Sequence, residues 1–247
     1  MNKRNTIKTM TQIDKVAIIT GGSSGIGYGI AESLLKEGYN VAITSRSEER
    51  ALQAVKKLKG VGIGAVIGLE VDVRSFESQT AAVKEVLEKW GRVDVFVANA
   101  GVGHFASITD LSLEEWHETI DTNLTGPFYS IKASLDALAA SKGYFITISS
   151  LAGTNFFEGA SAYNASKFGL TGFTQAVMLD IRKLGIRVTT IMPGSVATAF
   201  NGHEISDQDA WKIQKEDIGE LVADILKMNA RSLPSKIEIR PSLPPQK

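Results

Sequence analysis

The stretch "VAIITGGSSGIG", residues 16–27, carries the reading on which the fold rests. Apolar and β-branched residues from Val16 to Thr20 run directly into a glycine-rich turn, and a helix-period stretch follows from about Ile26 to Lys36, ended by Gly38. A continuous apolar strand joined to a helix by so short a turn is the first half of a βαβ unit whose strand is buried on both faces. Gly21 can turn the chain tightly. Gly25 and Gly27 let the backbone approach a ligand and let helix pack on strand, while the free N–H groups at the helix start favour a phosphate. Ser23 and Ser24 add hydroxyl donors there. Two other stretches, "GVGIGA" (60–65) and "GVGHFA" (101–106), share the glycine spacing. The first precedes a strand and the second opens no helix, so only residues 20–27 have the strand–loop–helix context that a dinucleotide cradle needs.

The same alternation continues outward. Apolar runs at 41–45, 65–73, 94–99, 144–149, 187–192 and 236–240 read as further strands. Helix-period stretches fill 48–59, 76–89, 113–140, 161–183 and 216–228, the third opened by the cap-like "SLEE" at Ser112 to Glu115. Strands separated by helices of this length imply right-handed crossovers. The pattern predicts an α/β fold: one doubly wound, Rossmann-type domain over residues 13–247, a parallel seven-stranded sheet with helices on both faces. Its ligand site belongs at the carboxyl ends of the strands. Residues 1–12 are basic and polar and read as a flexible N-terminal extension, with Met10 an alternative start.

Composition narrows the function classes. Of 247 residues, 43% are hydrophobic, enough for one sizeable core. Lys plus Arg and Asp plus Glu number 27 each, a balance that asks for neither nucleic acid nor an anionic membrane. There is no cysteine, which removes disulfides, thiolate nucleophiles and cysteine zinc sites and suits a cytoplasmic protein. No apolar run reaches the ~18 residues of a membrane span. The three histidines, His104, His117 and His203, lack metal-ligand spacing, so no metal is expected. "TISSLAG" is not the G-x-S-x-G of a serine hydrolase.

Two places carry chemistry. The second strand ends in Ser45 and Arg46. A carboxylate there would bind the ribose hydroxyls of NAD and repel a 2′-phosphate, whereas a guanidinium can grip that phosphate. NADP(H) is therefore the expected cofactor, with NAD(H) possible and Ser47 a further donor; the plain alternative is a solvated surface arginine. Further on, "ITISSLAG" (146–153) ends a strand in two serines, and "SAYNASK" (161–167) places Tyr163 and Lys167 on one helix face. A nearby ammonium would lower the tyrosine pKa from about 10 and make it an acid–base group. By spacing alone the pair reads as a half-exposed surface feature, and the glycine loop upstream is what favours the chemical reading.

Six stretches in order resemble the short-chain dehydrogenase/reductase superfamily: "TGGSSGIG", "VDV" (71–73), "ANAG" (98–101), "NLTG" (123–126), "SAYNASK" and "MPGSVAT" (192–198). The resemblance runs from about Lys15 to the end, departing at Ala98, where the family has Asn. It implies that Ser150 polarises a substrate oxygen, with Ser149 the less favoured neighbour. It implies that Tyr163 transfers the proton, that Lys167 lowers its pKa and holds the nicotinamide ribose, and that Asn123 keeps a water between Lys167 and solvent. Asp72 and Val73 would lie near the adenine, and Asn99, Ala100 and Gly101 would line the cofactor. Pro193, Gly194, Val196 and Thr198 would border the nicotinamide. The same resemblance implies a short substrate lid at about 199–215, walls from Val102 to Phe105 with Phe156, Phe157 and Phe200, and a homodimer or homotetramer. The substrate would be a small carbonyl or alcohol, such as a 3-oxoacyl thioester or a small ketone or hydroxy acid. The alternative is a non-catalytic dinucleotide-binding sensor or scaffold. The proline-rich ending "KIEIRPSLPPQK" (236–247) departs from the common family ending.

Overall fold

A computed structural model of the chain describes residues 15–243. The expected extension at 1–12 lies outside them. Seven strands, β1 (Val16–Ile19), β2 (Asn40–Ser45), β3 (Val66–Glu70), β4 (Val95–Ala98), β5 (Tyr144–Ile148), β6 (Arg187–Pro193) and β7 (Lys236–Ile239), form one parallel sheet in the order β3-β2-β1-β4-β5-β6-β7. The helices are α1 (Gly25–Lys36), α2 (Glu48–Leu58), α3 (Phe76–Trp90), α4 (Leu113–Ile120), α5 (Gly126–Ser141), α6 (Ser161–Ile181) and α7 (Lys215–Lys227).

Alternation of side chains along each strand divides the apolar residues between two cores. Ala17, Ile19, Val41, Ile43, Val95 and Val97 face Ile30, Leu34, Val55 and Val222 of α1, α2 and α7. Val16, Ile18, Ala42, Phe96 and Phe145 face Val83, Ile131 and Leu138 of α3 and α5. Both faces of the sheet are thus covered, which is why its central strands β1 and β4 are apolar and buried at every position.

Two elements differ from the sequence expectation. β3 ends at Glu70 rather than continuing to Val73, because its ladder stops where β2 stops, at the Ser45–Glu70 pair. The expected helix at 113–140 is interrupted by a π-helical turn, Asp121–Thr125. Pro127, at the start of α5, has no N–H to donate to the carbonyl four residues back, that of Asn123. The chain widens there, and Gly126 N donates to Asp121 O, five residues back.

The strand order reverses between β1 and β4, which opens a crevice at their carboxyl ends. Thr20 and Asn99, the residues that follow these two strands, clasp across it. The Thr20 hydroxyl accepts from Asn99 N at 3.0 Å and Ala100 N at 3.1 Å, and Asn99 Nδ2 donates to Thr20 O at 2.9 Å.

Behind the crevice α1 crosses α7 at glycine. A Cβ on Gly29 would stand 2.3 Å from Lys215 O, and one on Gly219 would stand 2.4 Å from Gly29 O. Gly29→Ala should therefore cost about 1–3 kcal/mol through overpacking. Gly172→Ala, on α6 with nothing within 4 Å of the new methyl, should instead gain about 0.5–1 kcal/mol. Urea midpoints check both; a Gly29→Ala protein as stable as wild type would contradict the close crossing.

Candidate active site

A cleft of about 1410 Å³ lies along the carboxyl ends of the strands, across the reversal. The glycine loop forms one wall. Gly21, Ser23, Ser24, Gly25 and Ile26 all line the cleft. Gly21 and Gly25 have φ of +64° and +54°, the left-handed region that favours glycine. Ser24 occupies the N-cap of α1 but makes no capping hydrogen bond, and the first turn holds no acidic residue. By contrast α2, α3 and α4 are capped by Ser47, Ser75 and Ser112 and begin with glutamates. The N–H groups of α1 are thus left for an anion. Gly27 lies behind the wall: a Cβ there would meet Asn99 Nδ2 at 2.5 Å and Gly21 O at 2.6 Å, so this glycine serves packing.

The β2 end of the cleft differs from expectation in three ways. Arg46 lines it, but its Nη1 donates to Glu118 Oε1 at 3.0 Å, and Glu118 Oε2 lies 3.0 Å from His104 Nε2. Glu118 is held below the usual carboxylate range, first by His104 and then by Arg46. Arg46 is therefore shared rather than free. Ser45 remains on the wall, whereas Ser47 is turned to cap α2 through Arg50 N at 3.3 Å. Asp72 is also off the wall, between Val71 and Val73 that form it, because its carboxylate closes on Arg74 at 2.6 Å. Arg74 is the main reason the Asp72 carboxyl is held below its ordinary range. The sequence reading missed Arg50, which lines the same end as Arg46 one helical turn into α2.

It also missed two threonines. The hydroxyls of Thr44 and Thr122 are buried without a hydrogen-bond partner, and both residues border the cleft. An orphaned buried hydroxyl costs roughly 1–3 kcal/mol, which makes these two positions suited to a polar ligand. The uncapped helix start, the two orphan hydroxyls and the paired cations Arg46 and Arg50 together fit a phosphorylated dinucleotide. Nothing in the local sequence of either threonine announces this.

At the other end, Ser150, Tyr163 and Lys167 meet on the cleft wall. Ser149 is committed elsewhere, its hydroxyl 3.0 Å from Thr171 Oγ1, whereas Ser150 is partly open. Lys167 is only 4% exposed and donates from Nζ to Ile148 O at 3.0 Å. Burial brings its pKa down to about 8. Burial pushes the Tyr163 phenol up, and the Ser150 hydroxyl beside it pulls it back. The expected lowering by Lys167 is thus outweighed in the free protein: desolvation of the phenolate dominates, and Nζ stands 5.7 Å from the Tyr163 ring centre.

Asn123 lies under this site rather than on its wall. It is fully buried; Oδ1 accepts from Val102 N at 2.8 Å, and Nδ2 donates to Val102 O at 2.8 Å and Ser166 Oγ at 3.0 Å. Its side chain therefore fixes the loop after β4, along which Asn99, Ala100 and Gly101 line the cleft. A Cβ on Gly101 would sit 3.2 Å from Asn123 Oδ1 and 3.7 Å from Lys167 Nζ. Glycine here keeps the ammonium accessible.

Pro193 at the end of β6, with Gly194, Val196 and Thr198 beyond it, also lines the cleft, with Thr198 Cγ2 3.4 Å from where a Gly25 Cβ would be. The segment beyond is pinned at its base, Ala197 N to Ile213 O at 2.9 Å. It is cross-tied by buried Asp209, which accepts from Ser206 N at 3.0 Å and Lys212 Nζ and lies 2.8 Å from His203 Nε2. Three aromatics surround Tyr163: Phe105 at 5.2 Å and Phe200 at 6.0 Å between ring centres, with Phe157 6.1 Å from Phe105. Phe156 points away, 85% exposed and off the cleft. Among the described residues no group of three or more His, Asp or Glu could hold a metal ion, and no helix is long and apolar enough to cross a membrane.

Comparison with known proteins bears on the family and the fold. Residues 15–209 match the short chain dehydrogenase family. An uncharacterized oxidoreductase of Staphylococcus saprophyticus is 35% identical over 92% of this chain and 97% of its own. The trans-4-hydroxycyclohexanecarboxylate dehydrogenase of Sinomonas cyclohexanicum is 37% identical over 75% of this chain and 73% of its own. The alcohol dehydrogenase of the archaeon Thermococcus sibiricus, solved with 5-hydroxy-NADP, superposes with a TM-score of 0.87 at 31% identity, covering 94% of this chain and 99% of that one.

Lys167 gives a stability signature independent of catalysis. Its folded pKa, about 8, lies below the unfolded value, so the unfolded chain binds more protons between pH 8 and about 10.5. Stability relative to Lys167→Met should therefore rise from pH 7 to pH 10, by roughly 2 kcal/mol. Urea unfolding of both proteins at the two pH values measures it; a pH-independent difference would show that the ammonium is not desolvated as described.

Proposed function

The chain belongs to the short chain dehydrogenase family of oxidoreductases, and from that membership we propose that it interconverts a carbonyl compound and its alcohol, using NADP(H) and Tyr163 as the acid–base group. The observation that carries this reading is the convergence of Ser150, Tyr163 and buried Lys167 at the end of the cleft opposite the anion-ready loop. A scaffold or sensor that only bound the dinucleotide would have no use for a lysine buried at such cost.

A bound dihydronicotinamide supplies the hydride. In reduction the carbonyl carbon gains that hydride with its electron pair, and the carbonyl oxygen takes the proton of Tyr163. Ser150 donates a hydrogen bond to the same oxygen and positions it. Because burial keeps the free phenol protonated at neutral pH, Tyr163 starts in the state that reduction requires. Lys167 stabilises the phenolate left behind. The Asn123 carbonyl, deprived of a helical partner by Pro127, is the group available to hold a water that returns a proton through Lys167. Alcohol oxidation runs the same steps backwards and needs Tyr163 ionised, so it is favoured as pH rises.

Arg46 and Arg50 support NADP(H) over NAD(H), as does the absence of an acidic residue at the end of β2. The solved alcohol dehydrogenase with its NADP derivative and the hydroxycyclohexanecarboxylate dehydrogenase are consistent with a nicotinamide-dependent alcohol or carbonyl substrate. Exposed Phe128 and Phe168, on α5 and α6, support a homo-oligomer.

Tyr163→Phe should lower turnover of any accepted ketone by about 10²-fold or more while NADPH still binds, as read by nucleotide fluorescence. Retained turnover would contradict the assigned acid. Arg46→Ala should weaken NADPH far more than NADH in the same titration. Equal losses would remove the case for a 2′-phosphate at this end.

A further inference from the structure

The chain departs from the common family ending after β7, and the first four residues there, "RPSL" (240–243), lie on the cleft. Arg240, Pro241, Ser242 and Leu243, which follow β7, line the same cleft as Tyr163. They reach the substrate end of it. Gly194 N donates to Ile239 O at 2.8 Å. A Cβ on Gly194 would stand 3.1 Å from Leu151 Cδ1 and 3.3 Å from Pro241 Cδ. The absence of a side chain at 194 thus lets the tail pass against Leu151, the residue next to Ser150.

Charge is distributed unevenly around this cleft. Its lining holds five cationic residues, Arg46, Arg50, Lys167, Lys212 and Arg240, and one acidic residue, Glu118, although the chain as a whole is balanced. Four of the five have another duty. Arg46 and Arg50 stand at the β2 end, Lys167 holds the Ile148 carbonyl, and Lys212 is paired with Asp209. Arg240 is 57% exposed and gives Nη2 to Glu238 Oε2 at 3.0 Å, outside the cleft lining. A guanidinium has five N–H donors, so most of its fork is left to face a ligand. The cleft also holds apolar surface, Leu151 beside Pro241 and the rings of Phe105, Phe157 and Phe200 about Tyr163, each ring more than a third exposed.

We infer that residues 240–243 are part of the substrate pocket and that Arg240 anchors an anionic group, so that the substrate is a compact oxo acid: a carbonyl next to Tyr163, a flat apolar body beside the phenylalanines, and a carboxylate at Arg240. This rests on the carbonyl-reductase reading of the same cleft. An apolar body explains why three phenylalanine faces stand open in the cleft, and a carboxylate explains an exposed guanidinium on the same lining.

The experiment compares 4-acetylbenzoate, its methyl ester and acetophenone with NADPH, using wild type, Arg240→Gln and Arg240→Lys, each first shown to have the wild-type Tm. The expected result is that wild type prefers the acid, that Arg240→Gln raises KM for the acid about ten-fold or more at nearly constant kcat, and that the ester is unaffected. Arg240→Lys should restore part of the loss. A wild-type preference for the ester, or equal losses on acid and ester, would overturn the inference. If none of the three is reduced, calorimetry of benzoate against benzamide on the NADP-saturated protein decides. Tighter benzoate binding that Arg240→Gln removes would uphold the anchor while refuting the reductase reading alone. Equal or absent binding of both would refute the anchor.

Discussion

A lysine ammonium held under the cleft, 4% exposed and with Ile148 O as its hydrogen-bond acceptor, is the constraint to which the rest of the site conforms. Removing a cation from water is costly unless something compensates, and one carbonyl does so only in part. The neighbouring structure reads as an answer to that. β5 ends where its last carbonyl can reach Nζ, Gly101 leaves out a side chain that would close the approach, and the Asn123 amide ties the Val102 backbone to Ser166 of α6. A strongly polar ligand above Lys167 would complete what the protein leaves undone.

The scaffold that holds this lysine is set by the reversal of strand order between β1 and β4. Thr20 and Asn99 close the base of the resulting crevice, and the glycine loop lies over it. The groups proposed to bind phosphate therefore come from β1 and α1, and those proposed to transfer the proton from β5 and α6, all lining one cleft and fixed by the sheet. The glycine contacts behind them, at Gly27 against Asn99 and Gly29 against α7, hold α1 at the one distance that leaves its first N–H groups at the cleft mouth.

The parts of this arrangement carried by local pattern were legible in the sequence. Strand runs, the 20–27 loop, the Ser112 capping box and the Tyr163–Lys167 spacing all follow from periodicity or from contacts a few residues apart. Long-range pairings were not. Arg46 is tied to Glu118, 72 positions away, and no local rule could have shown that the expected phosphate ligand is already shared. Asp72 was placed on the cleft by resemblance and Ser47 by its position beside Arg46, but short-range bonds to Arg74 and Arg50 turn them aside. The lowered tyrosine pKa was expected from a cation nearby, and burial outweighed it. Pro127 plays no part in the sequence reading, which runs one helix over 113–140; the π-helical turn at Asp121–Thr125 just before it is a feature of the structure alone.

The central claim is that this cleft passes a hydride to a carbonyl carbon and a proton to its oxygen. The most direct measurement uses NADPH deuterated at C4 with a panel of ketones and aldehydes, followed by NMR of the alcohol formed. The account predicts deuterium on the carbinol carbon and a hydroxyl hydrogen drawn from solvent. Bound NADPH that keeps its deuterium in the presence of every carbonyl offered would contradict it.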